Sequence, residues 1–262
     1  MFSPLLPITI DSIYKHAPLP PRLAKCTPDM YAAAFALKAE LRTIHSDLVL
    51  SDMFRSYDMQ HQANLDYVNK KKTAYSPPAG GSMHEAGRAI DLDLEFIKAM
   101  GLTKFWPIAA KHGFTPILDA PDITKNEAWH FDCRGSHQLV YDYYKAGKGD
   151  NFKSPYTAMA ASGIVSLGQP VDALGKDVKS AYIQSGLIRL GQTIGDLDGS
   201  IGAKSRDGLT ALGVDPKGAV DDIAAAIDAL LQKAFPQEFA VPGAHIDSGD
   251  VPAHLAGVMG TS

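Results

Sequence analysis

Cysteine is scarce: Cys26 and Cys133 are the two in 262 residues. That excludes a disulfide framework, and the pair is read as free thiols, with one bridge as the alternative. No apolar run approaches the roughly 20 residues that span a bilayer. Neither sign of charge dominates. Lys and Arg number 25 against 29 Asp and Glu, a formal net charge of −4, so no basic field invites nucleic acid or an anionic surface. The start, Met1-Phe2-Ser3-Pro4-Leu5-Leu6-Pro7-Ile8, lacks a basic region and a continuous apolar core, so no secretory signal is read. What remains is ordinary globular composition, 45% hydrophobic and 21% charged, enough for one large domain or two modest ones.

Along the chain, residues 1–28 are proline-rich and read as an irregular arm. Periodicity and propensity predict helices at about 29–45, 57–69, 102–112 (closed by Gly113) and 136–145, with strands at about 48–54, 88–94 and 129–132. Residues 76–82 have the chemistry of a loop. The first 150 residues therefore read as α+β, a small antiparallel sheet flanked by helices. Glycine, serine and proline over about 146–170 suggest a connection, placed at 151–172. Helices are expected at about 177–190, 204–212 and 219–235, making a small three-helix domain over 173–236. A flexible tail is expected over 237–262.

Two short segments concentrate the chemistry. Ser82-Met83-His84-Glu85-Ala86-Gly87-Arg88-Ala89-Ile90-Asp91 and Glu127-Ala128-Trp129-His130-Phe131 supply two imidazoles, a carboxylate, and a second carboxylate just before the last imidazole. A catalytic zinc needs three protein ligands, a fourth position left for water, and a base to take a proton. Gly87 permits a tight change of direction, so His84 and Asp91 can converge from a loop and the strand after it. His130 comes from another strand, and Glu127 can reach a water without being a ligand. Singly, such a His or Asp is an ordinary packed or turn residue. The combination points to hydrolysis of an amide or ester. Cys133 reads as a small buried residue beside the site rather than a soft ligand.

These two segments resemble the S-x-H-x-x-G-x-A-x-D and E-x-W-H-F/Y signatures of the zinc D-alanyl-D-alanine peptidases. That group includes D,D-dipeptidases, D,D-carboxypeptidases and phage L-alanyl-D-glutamate endopeptidases. The resemblance spans about Leu37 to Tyr144, and every fixed position of the first signature is present, as Ser82, His84, Gly87, Ala89 and Asp91. It implies zinc held by His84, Asp91 and His130, with Glu127 as base. It also implies that Arg55, in Phe54-Arg55-Ser56, meets the substrate carbonyl or carboxylate, where a planar fork suits a developing oxyanion. Ser82 is expected to be a supporting hydrogen-bond donor and Trp129 a packing wall. Where the endopeptidase branch often carries a further His, this chain has Ala128, which favours the D,D-peptidase style of site.

The segment from Ala181 to Leu212, with Asp198-Gly199-Ser200-Ile201-Gly202 between two helices, resembles small three-helix peptidoglycan-binding domains. The usual threonine is Ser205. The joint expectation is an enzyme acting on peptidoglycan stem peptides, leading as a D,D-carboxypeptidase, with a lysin-type endopeptidase second. A non-catalytic, zinc-containing wall-binding protein is the alternative from another class. The expected partner is peptidoglycan or muropeptides, with no nucleic acid and no membrane span. With no signal read, the protein is expected to be cytoplasmic until released through a holin, or to leave by an unrecognised route.

Overall fold

The protein is described by a computed structural model over residues 2–14, 17–175 and 177–241. Its proline-rich start is not wholly irregular: β1 (Leu6–Pro7) pairs antiparallel with β2 (Lys25–Cys26). α1 (Pro28–Thr43) places a proline in the first turn, where a missing N–H costs nothing, and Asp29 against the positive end of the helix dipole. Its buried positions Met30, Ala34, Leu37 and Leu41 recur at helical spacing. β3 (Leu50–Asp52) leads into α2 (Tyr57–Val68), whose N-cap Ser56 accepts from the Met59 N–H. After a long loop come β4 (Ala89–Leu92) and α3 (Leu102–Lys111). Gly113, at φ +81°, makes the left-handed turn that ends α3. β5 (Phe114–Pro116), which the periodicity does not predict, and β6 (His130–Cys133) complete the sheet.

The four strands run in the order β3-β4-β6-β5, antiparallel throughout. Register sets the chemistry. Asp91 lies opposite His130 on one side and opposite Asp52 on the other. One face of the sheet packs with α1 and α3 in a core that includes Leu37, Ile90, Phe105, Phe114 and Phe131. The fold is α+β with small antiparallel sheets, as the sequence suggests.

The second half is helical: α4 (Gln138–Lys145), α5 (Pro155–Ser166), α6 (Val178–Arg189), α7 (Ala203–Ala211) and α8 (Val220–Ala234). α5 overturns the expected connection at 151–172. Ser154 caps it and Pro155 starts it, and every residue from Ala158 to Ser166 is buried. Such a helix has no polar face to betray it, because it is surrounded on all sides. Its small residues permit close approach: a Cβ on Gly163 would sit 2.6 Å from that of Ala86. α6 is likewise buried from Ser180 to Arg189. α4, α5, α6 and α8 share one core with Met83, Ala86 and Ala89 from the motif loop and β4.

The expected tail from 237 is also corrected at its start. A single turn at Pro236–Glu238 returns to the body, and Glu238 is wholly buried there. Its carboxylate pairs with Arg189 at 2.7 Å and Arg88 at 3.3 Å and accepts from the Ser136 N–H at 2.6 Å. Arg88 in turn pairs with Asp29 at 2.7 Å. The rest of the expected tail, 242–262, lies outside the described residues. Among the described residues, no helix is long and apolar enough to cross a membrane.

Candidate metal centre and its cleft

The loop ahead of β4 is wound tightly enough to aim His84 at Asp91. Gly87 N–H bonds to the His84 carbonyl at 3.1 Å and Arg88 N–H to the Met83 carbonyl at 3.0 Å. Gly87 has φ +63°, and a Cβ there would meet the Leu5 side chain at 2.5 Å, so glycine takes this turn without strain or displacement of Leu5. Glu85 fastens the preceding loop, accepting from the Gly80 and Ser82 N–H groups. Burial pushes its carboxyl up to about 7, against the pull of those amides.

One potential ligand atom each from His84, Asp91 and His130 lies within 4.8 Å of the others, and all three residues are buried. His84 Nε2 is 3.3 Å and His130 Nδ1 2.9 Å from the same oxygen, Asp91 Oδ1. The far nitrogen of each ring is anchored. His84 Nδ1 meets the Met53 carbonyl, which only accepts, so Nδ1 is the donating nitrogen and Nε2 is the one turned to Asp91 and to any metal ion. His130 Nε2 lies 2.9 Å from Asp132 Oδ1. A carboxylate or carbonyl behind each imidazole is the usual outer support of a metal-binding histidine. Burial works against charge on His130, but Asp132 and Asp91 outweigh it and raise its pKa to about 10. Burial would raise Asp91, yet the two imidazoles hold it well below the ordinary carboxylate range. The cluster therefore favours positive charge at its centre, and it can hold a metal ion, which would take the place of a proton there.

Asp132 is the functional position the motif reading misses. Besides His130 it takes the Tyr156 hydroxyl at 3.0 Å and Arg134 Nε at 3.3 Å. The available signal was its place two residues beyond His130, on the same face of a strand.

Glu127 stands beside the cluster in an unusual state. Its φ is +68°, which is costly for a side chain with a Cβ. His45 and Lys70 share that feature, but they follow the ends of α1 and α2, where left-handed residues are routine. Glu127 lies in the turn that leads into β6, where the His130 N–H bonds to its carbonyl at 3.0 Å. Its Oε1 is buried and, among the described residues, has no hydrogen-bond partner. Burial raises its pKa, and Asp91 adds to the rise while His130 opposes it. An orphaned carboxylate oxygen next to a cation-favouring cluster fits a site that takes a metal ion and a water.

Arg55 comes into the same cleft from the turn after β3. It donates to Asp52 at 2.7 Å and Gln60 at 3.2 Å and reaches Asp91 Oδ2 at 3.4 Å. Ser82 Oγ accepts from the His84 N–H, so it steadies the ligand loop instead of donating to a ligand side chain. Trp129 is half-buried in the wall. The cleft encloses about 400 Å³, and Arg55, Ser82, His84, Asp91, Glu127, Trp129 and His130 all line it. Cys133 is buried on β6 and takes no part in the cluster, and Cys26 is likewise a buried free thiol.

The fold and site thus define an α+β protein with a buried two-histidine, one-aspartate centre opening into a cleft. No protein-family model matches the chain, and no curated protein matches it in sequence.

Proposed function

We propose that this cleft hydrolyses peptide bonds in peptidoglycan stem peptides, as a zinc-dependent peptidase whose leading reaction is removal of a terminal D-alanine. One observation carries the reading: a cluster of three possible metal ligands sits beside a glutamate with a left-handed backbone and a buried, orphaned Oε1. His84, Asp91 and His130 would hold the zinc, a donor set of nitrogen and oxygen that suits it. When bound, zinc supplies a Lewis acid that polarises a carbonyl and acidifies water. Glu127 takes the proton of the attacking water and delivers it to the leaving amine. Its raised pKa brings it closer to the pH at which it must both accept and give. Arg55, fixed by Asp52 and Gln60, sets a positive charge beside the oxyanion that develops at the carbonyl. Trp129 shapes the wall.

The helical half fits a wall-binding role in this reading. Gln184 organises its glycine-containing loop, accepting from the Asp198 and Gly199 N–H groups and donating to the Ser200 carbonyl. A purely structural zinc site has no use for Glu127, whose strain and orphaned oxygen speak for catalysis over a non-catalytic wall-binding protein.

The test is mass spectrometry of defined muropeptides incubated with zinc-loaded protein. Loss of one terminal D-alanine is expected. Glu127→Ala should keep zinc and lose turnover by about 10²–10⁴-fold. Cleavage inside the stem or cross-bridge would make the protein a lytic endopeptidase instead. Intact muropeptides across the panel would sink the hydrolase reading.

A further inference from the structure

Three cationic side chains line the cleft, and two are already held in ion pairs. Arg55 is paired with Asp52 and Asp91, and Arg134 with Asp132. The third is Lys72, on the loop after α2. Among the described residues its ammonium pairs with no carboxylate and makes a single hydrogen bond, to Ser76 Oγ at 2.8 Å. That partner is rigid. Ser76 is fully buried, its carbonyl accepts from Asn64 at 2.8 Å, and the next residue's carbonyl accepts from Gln60 at 2.7 Å. Lys72 is thus a half-buried charge held in place and facing a cavity. Partial burial and the nearby Arg55 lower its pKa. Glu127, Asp91 and Asp52 lie near enough to oppose that lowering, but none of them contacts the ammonium, so an anion arriving in the cleft gives it a direct partner.

We propose that Lys72 is a specificity-determining residue that binds a carboxylate of the peptide substrate, on the Arg55 side of the metal centre. The assignment rests on the peptidase reading above. A stem peptide with lysine at its third position carries two free carboxylates: the C-terminal one on the departing residue, and the α-carboxylate of a γ-linked glutamate. Both offer the same chemistry to an ammonium. The first sits on the leaving side of a carboxypeptidase bond. The second flanks a bond that an endopeptidase would cut.

Three synthetic peptides separate these sources: L-alanyl-γ-D-glutamyl-L-lysyl-D-alanyl-D-alanine, its C-terminal amide, and the form with D-isoglutamine at the second position. The full zinc-loaded chain is used throughout. KM and kcat are measured on the active protein, and affinities by calorimetry on Glu127→Ala, each with and without Lys72→Met. Lys72→Met should weaken the parent peptide by about tenfold in affinity and KM, the usual worth of a charge-assisted hydrogen bond, while kcat moves little. It should also abolish the discrimination against one of the two amidated peptides, and that peptide names the carboxylate. Lys72→Arg should restore the discrimination.

If Lys72 merely braces Ser76, its loss will weaken all three peptides alike and leave both acid-to-amide ratios intact, and the proposal falls. It falls equally if none of the peptides binds. Binding without turnover of any peptide by the active protein would defeat the peptidase reading, and the calorimetric ratios would still decide the role of Lys72.

Discussion

The cleft and the helical core each bury histidine, and they surround it with opposite charge. His84 is 2% exposed, His130 5% and His137 1%. His84 and His130 face Asp91, and His130 has Asp132 behind it. His137, between β6 and α4, bonds to Ser162 at 2.7 Å, and Ser162 lies 2.6 Å from Ser185. Burial pushes its pKa well down, and the charges of Arg189 and Arg88 push it further. Burial alone therefore marks none of the three as a ligand. The sign of the surrounding charge separates an imidazole placed for a cation from one kept neutral as a packing and hydrogen-bonding piece.

The largest test of this contrast is to remove one histidine from each region. His130→Ala should abolish stoichiometric metal, read by elemental analysis after dialysis. His137→Ala should keep the metal and lower unfolding stability by about 2 kcal/mol, read by denaturant titration. Metal lost equally in both variants would erase the distinction.

The helical core has its own charged device in Glu238. Burial raises its pKa, but Arg88 and Arg189 outweigh that and hold it below the ordinary value. A carboxylate with a depressed folded pKa adds stability that is complete above its unfolded pKa, about 4.3. That stability fades as pH falls through the lower folded value. Glu238→Gln should cost about 3 kcal/mol at neutral pH by leaving buried Arg189 without its acid and Arg88 with Asp29 alone. It should also flatten the acid limb of the stability profile, measured by denaturant unfolding at several pH values.

A smaller effect is expected behind the metal ligand. Asp132→Asn should weaken metal binding by about 10–100-fold while leaving the fold intact, measured by competition with a chelator. The smallest expected change is a gain. Glu127→Gly relieves the left-handed backbone and should raise stability by about 1 kcal/mol in the same unfolding assay. No gain would mean that the strain at Glu127 is compensated locally.

The two regions also differ in how far the sequence discloses them. His84, Asp91 and His130 stand in short motifs whose turn glycine and strand alternation already imply convergence, and the register of β4 and β6 completes it. Asp132 follows from the alternation of β6 only when one asks what lies behind the ring of His130. The Met53 carbonyl cannot be foreseen, because a backbone oxygen has no residue type to signal it. α5 was hidden by its composition, since the alanine, serine and glycine that let it sit deep between other helices are also the residues of linkers. Glu238 was hidden by distance along the chain: its partners Arg88 and Arg189 belong to β4's approach and to α6, and an acid among prolines near a terminus looks like solvent-exposed chain.

Arg88 immediately precedes β4, and Asp91 lies within that strand. One short stretch thus holds the His–Asp cluster at one point and, through Glu238, the last described turn of the chain at another. Recombination would meet this as a constraint. Exchanging the helical half for another module, even at a break that looks permissive in composition, would leave Arg88 with Asp29 alone and disturb the footing of Asp91. An exchange of the helical half has to rebuild the Arg88–Glu238 pair on the incoming module.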